Sequence, residues 1–189
     1  MVGINEKQEI VPELAEKWDR SADNRTYTFF LRKDVMWHPK EGEEPKPFTA
    51  DDVIFTYKVM MHPKTITPLK VRYEFIDTAE KLDDYTVKFT LKRPILNALA
   101  KFSFKVIPKH GPKNSLSLTR EDPFVRNPIG TGPYLLKNIT AEREVVLAAN
   151  ENYFKGRPHV DKFVAKHFAD QNIMTQALMF NAIDMIVLV

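Results

Sequence analysis

Gly130-Thr131-Gly132, inside the stretch NPIGTGPYLLK (127–137), has the residue types of a loop that cradles phosphate. A Walker loop needs more: it ends in Gly-Lys-Ser/Thr and opens a helix whose N–H groups meet the phosphates. Here Pro133 follows, which has no N–H, and a strand-like run begins at once. A dinucleotide fingerprint fails too, because its third glycine is missing and no helix opens. The glycines therefore read as a turn.

Two acidic pairs, Asp51/Asp52 and Asp83/Asp84, could supply carboxylates for acid–base chemistry. Sequence neighbours point in different directions, however, and each pair has an ordinary role in a helix start or a turn. A hydrolase using Asp51, Asp84 or His167 would need a pocket joining residues that the pattern keeps apart. The five histidines fit no HExxH spacing, even where His159 and Asp161 share a strand face. No Gly-x-Ser-x-Gly elbow is present, and a cysteine count of zero excludes thiol catalysis, disulfides and Cys-ligated zinc. Trp18, Trp37 and Tyr73 could line a pocket, although aromatics in strands more often build core. No catalytic constellation, metal site or cofactor motif emerges.

The elements that would position these groups are marked along the chain. RTYTFFLRKDVMWH alternates as a strand, with Tyr27, Phe29 and Leu31 on one face. Aromatics on both of its faces predict cover on both sides. A helix over 50–61 follows Thr49, with Asp51 and Asp52 in its first turn and Val53, Tyr57, Met60 and Met61 on one face. His62-Pro63 stops it. Tyr85–Leu91 alternates as a second strand, with EFIDTAEKL as its hairpin partner, and ILNALAKF reads as a short helix. The Pro/Ser/Asn-rich stretch IPKHGPKNSLSLTREDPFVRNP is the best boundary candidate. Beyond it come the strand pair YLLKNI and REVVLAAN, a strand in VDKFVAKHF, and a helix in DQNIMTQALMFN capped by Asp170. The closing IDMIVLV has the composition of a fully buried strand, which predicts that the sequence is a fragment.

Composition bounds the function. Of 189 residues, 43% are hydrophobic and 11% aromatic, which is enough for a packed core. The net charge of +3 comes from 28 basic and 25 acidic residues that alternate along the chain, so no basic stripe exists for nucleic acid. No apolar run approaches the ~20 residues of a membrane span. The first residues lack a signal-peptide pattern, which leaves a cytosolic protein or a removed export segment.

The order of the blocks resembles the family 5 extracellular solute-binding proteins, the oligopeptide, dipeptide and nickel receptors of ABC importers. The resemblance rests on IVPELAEKWDRSADNRTYTFFLRKDVMWH, PFTADDVIFTY, DDYTVKFTLKRP, NPIGTGPYLLK, NENYFKGRPHVDKF and FNAIDM, six blocks in register. It departs in a longer 38–49 loop and in FNAID, which lacks the usual glycine. The resemblance implies an α+β (mixed α/β), periplasmic-binding-protein-like type II lobe with a mixed sheet and flanking helices. It implies a smaller subdomain over 1–126 and part of the main-sheet subdomain over 127–189, truncated before a second lobe. The GTGPY block would be the passage between them. It further implies a non-enzymatic, cofactor-free receptor, periplasmic or extracellular and membrane-anchored as a lipoprotein. Such a receptor hands a peptide or similar small solute to the permease subunits of an ABC importer. Nickel or sugar binding, or a sensory or protein-interaction role, are the alternatives. Tyr73, Phe75, Val187, Leu188 and Val189 are the expected ligand-side residues.

Overall fold

The computed structural model describes the chain except residues 41, 66, 68, 113–117, 119–120, 141–143 and 188–189, and the side chain of 69. Its centre is a four-stranded sheet in the order β3-β4-β6-β5: β3 Ala15–Arg20, β4 Thr26–Leu31, β5 Ile76–Asp83 and β6 Thr86–Leu91. A two-stranded ribbon, β1 Val2–Ile4 with β2 Ile10–Pro12, precedes it. A three-stranded sheet in the order β7-β8-β9 follows, from Tyr134–Ile139, Val145–Ala149 and Lys162–Ala165. The α-helices among the described residues are α1 Ala50–Met61 and α2 Leu69–Tyr73 between β4 and β5, α3 Pro123–Arg126 between β6 and β7, and α4 Gln171–Met179 after β9. The structure is α+β, and every strand pairing among the described residues is antiparallel, where the resemblance had implied a mixed sheet.

Strict alternation sets the core face. Tyr27, Phe29 and Leu31 are buried on β4, and Val87, Phe89 and Leu91 on β6, with Tyr27 opposite Phe89 and Phe29 opposite Val87. A single-turn 3₁₀ helix, Ala98–Phe102, drops Phe102 onto this face, 4.8 Å from the Phe29 ring and 5.0 Å from Phe89. The opposite face of β4 is only half-buried, contrary to the expectation of cover on both sides. There the Lys17 ammonium lies 4.7 Å from the Phe30 ring, so a long side chain does what a second layer would do.

Helix α1 carries Val53 and Met60 into the core, with Tyr57 and Met61 packed beside them. Its start is fixed by the Thr49 N–H, which donates to the Asp52 carboxylate at 3.0 Å. The loop after Phe102 then crosses the helix. The Ile107 N–H donates to the Thr56 hydroxyl at 3.0 Å, and that hydroxyl donates to the Asp52 carbonyl at 2.7 Å.

The last third is thinly buried. Among the strands β7 to β9 only Ala149 is buried, and α4 buries no residue at all. Asp170 caps α4 as expected, accepting from the Asn172 and Ile173 N–H groups at 2.7 and 3.1 Å. The 183–187 run, expected as a buried strand, is not a strand. Met185 and Val187 are 61% and 67% exposed. β-branched composition favours a strand only where a neighbour completes the ladder, and no described strand pairs with this run.

Candidate functional site

The groups whose types suggested chemistry can now be placed. The Gly130 N–H donates to His38 Nδ1 at 3.3 Å, and the Gly130 carbonyl accepts from the His38 N–H at 2.8 Å. His38 Nε2 lies 2.9 Å from the Gly132 carbonyl, which also accepts from the Asn150 amide at 3.1 Å. Since Nδ1 accepts, Nε2 must carry the hydrogen, which fixes the neutral tautomer. Burial pushes the imidazole below its ordinary value, and the Gly132 carbonyl partly opposes this. The glycine loop spends these polar groups on the protein itself, which answers the phosphate question in favour of a turn.

The acidic pairs are spent in the same way. Asp52, 4% exposed, accepts from the Trp37 indole N–H and the Thr49 N–H at 3.0 Å each, and from the Lys109 N–H at 2.8 Å. Asp51 and Asp84 share the Lys81 ammonium at 2.6 and 2.7 Å, and the Asp51 carboxyl is held below its usual range by Lys81 first and then Lys109. Asp83 accepts from the Tyr85 N–H at 2.8 Å. His159 and His167 are exposed, and no group of three metal-capable side chains gathers among the described residues.

The expected ligand-side residues fall in two places. The Tyr73 and Phe75 rings touch, with centroids 6.3 Å apart, and Phe104 and Phe102 pack behind them at 5.5 and 6.1 Å. Tyr73 is 2% exposed and backs the half-buried Phe75, whose ring lies 5.7 Å from the Lys101 ammonium. Val187 lines a separate cavity of about 540 Å³ formed by β9, α4 and the 182–187 tail, with Phe163, Phe168, Met174 and Met185 among its walls. Leu188 and Val189 lie outside the described residues. A second cavity, of about 660 Å³, opens beside Trp18, at the edge of the main sheet. Trp18 was an aromatic candidate in the sequence. The Pro94–Leu99 segment that completes the cavity was read only as a strand end and a short helix, with no hint of a pocket.

The family model for the bacterial extracellular solute-binding proteins, family 5, middle region, matches residues 9–189. The chain belongs to this family. It is 32% identical over 187 residues to di/tripeptide-binding protein 2 of Pseudomonas aeruginosa, covering 91% of this chain and 35% of that one. Among solved structures it is similar to NikZ from Campylobacter jejuni in complex with Ni(L-His), at 33% identity and a TM-score of 0.84 over 96% of this chain and 36% of that one. It is also similar to the oligopeptide-binding protein AppA of Bacillus subtilis in complex with a nonapeptide, at 30% identity and a TM-score of 0.84, with the same two coverages. The fold of this family 5 chain is thus of the periplasmic-binding-protein-like type II class. The chain spans about a third of the length of the curated relatives it matches.

Proposed function

We propose that this protein is the substrate-binding component of an ABC importer. It captures peptides, or a similar small solute, outside the cytoplasmic membrane and delivers them to the permease subunits. The observation that carries this reading is the likeness, over 96% of the chain, to an oligopeptide-binding protein holding a nonapeptide. Extended peptides suit such a receptor because backbone hydrogen bonds give affinity without demanding particular side chains. The reading extends to a non-enzymatic, membrane-anchored protein, divided into subdomains over 1–126 and 127–189.

On this reading Phe75 and Val187 face the solute and Tyr73 supports Phe75 from behind; Leu188 and Val189 are assigned to the ligand side from the sequence alone. The aromatic contacts around Tyr73 and the apolar cavity at Val187 support these assignments. Capture of a nickel chelate is the second reading, favoured by the likeness to a Ni(L-His) complex.

Native mass spectrometry of the protein purified without added solute tests both. A ladder of short peptides is the expected result, and a single nickel-containing mass would replace it with the second reading. A bare protein that gains no mass from a peptide mixture or a nickel–histidine solution overturns both.

A further inference from the structure

The 660 Å³ cavity has the make-up of a small-molecule site that the receptor reading leaves unused. Its size lies within the roughly 300–1,000 Å³ typical of such sites. β3 is the edge strand of the main sheet, and the register places Trp18 opposite Phe29 and Arg20 opposite Tyr27. Residues directly opposite in an antiparallel pair share a face, so Trp18 and Arg20 stand on the face that bears the aromatic core. Arg20 is therefore a cation at the end of an apolar row, where the sheet runs out and residues of the Pro94–Leu99 segment line the same cavity.

Three polar side chains converge on this cavity. Arg20 is exposed, and it forms no ion pair or hydrogen bond with another described side chain. Asn24 and Asn97 both sit in the left-handed region, at φ 57° and 55°. That conformation is tolerated by asparagine better than by most residues. Among the described residues neither carboxamide side chain has a hydrogen-bond partner. The walls between them are apolar and aromatic: Trp18, Tyr27, Ile95 and Leu99.

We propose that this cavity binds a monocarboxylate with an aromatic or branched aliphatic body. The Arg20 guanidinium takes the carboxylate, the Asn24 and Asn97 amides flank it, and the body packs on Trp18. A planar guanidinium fork matches a carboxylate through two parallel hydrogen bonds. One cation and no second basic group in the lining favours a monoanion over a phosphate dianion. A free carboxylic acid and the carboxy terminus of a peptide present the same chemistry. The site stands apart from Phe75 and Val187 and does not depend on the importer reading.

The chain has two tryptophans, so its two indole N–H resonances make an internal comparison. Trp18 lines the cavity, whereas Trp37 is 1% exposed and bonded to Asp52. The ¹⁵N-labelled protein is titrated with 3-phenylpropanoate, with its neutral analogue 3-phenylpropanamide, and with N-acetyl-Gly-Phe as free acid and as amide. Saturable movement of the Trp18 resonance by the acids, with Trp37 still and the amides weak, is the expected result. Arg20→Gln should weaken acid binding about tenfold or more while leaving the free-state Trp37 indole position in place. Tighter binding of N-acetyl-Gly-Phe than of 3-phenylpropanoate identifies a peptide terminus as the natural form, and the reverse identifies a free acid. A Trp18 resonance unmoved by every probe, equal binding of acid and amide, or unchanged affinity in Arg20→Gln overturns the proposal.

Discussion

The Trp37 indole N–H donates to the Asp52 carboxylate at 3.0 Å inside the core, joining the segment after β4 to the first turn of α1. The same carboxylate takes the Thr49 and Lys109 N–H groups, so one side chain satisfies three donors from three segments. Removing it strands the Trp37 N–H inside the core and leaves the Thr49 and Lys109 N–H groups without a partner in part-buried positions. Asp52→Ala should cost about 3–5 kcal/mol, against well under 1 kcal/mol for the partly exposed neighbour Asp51→Ala. Urea denaturation of both variants checks this. Similar midpoints for the two would show that the three-donor arrangement contributes little.

His38 makes stability depend on pH. Its imidazole is neutral in the fold because Nδ1 accepts from Gly130, and burial lowers its pKa below the ordinary 6.5. A proton therefore binds more readily to the unfolded chain, so stability is full above about pH 6.5 and falls as the pH drops below it. His110, lowered first by burial and then by Lys46, contributes to the same slope. His38→Ala should lose about 1–3 kcal/mol at neutral pH and show a shallower, though not flat, decline in acid. Urea midpoints measured between neutral and mildly acidic pH would reveal an unchanged slope if His38 plays no part.

The sequence made three of the four strands of the main sheet and α1 legible because their signals are local, while β3, with two charged pairs in six residues, was not read as a strand. Alternation in β4 and β6, the hairpin partner in β5, and Thr49 with its first-turn acids each state their own role within a few residues. The GTG turn was legible as a turn for the same reason. What held it was not legible, because His38 lies 92 residues before Gly130 in the chain and a lone histidine signals nothing about a distant backbone partner. The 183–187 run misled because apolar composition reports what a segment would bury, not whether a neighbour is there to bury it. Tyr73 and Phe75 were named together and their rings touch, whereas Val187 lines a cavity with β9 and α4 that local pattern could not foresee.

Phe102 is the residue that completes the aromatic core. Its ring meets Phe29, Phe89, Tyr27 and Phe75 at 4.8, 5.0, 5.6 and 6.1 Å, from a helix of only five residues. Four surrounding rings cannot all collapse into the space it fills, so a cavity should persist. Phe102→Ala is expected to cost about 3–5 kcal/mol and Phe102→Leu noticeably less. A thermal melt that ranks the two equally would mean the core repacks without penalty.

Local stability should differ sharply between the two ends of the chain. β4 and β6 are interior strands with one fully buried face each, so their amides should open only with global unfolding. Helix α4 has nine residues and no buried side chain, and Ile173, Met179 and Phe180 are 58%, 74% and 81% exposed. A helix this short is marginal in water without an apolar face packed against something, and the Asp170 cap contributes only about 1 kcal/mol. Hydrogen-exchange mass spectrometry should therefore find peptides across 171–179 exchanging orders of magnitude faster than those across 86–91. Should α4 prove as protected as β6, another surface must cover it. Repeating the exchange over a range of protein concentrations would then separate self-association, which strengthens with concentration, from packing within one chain, which does not.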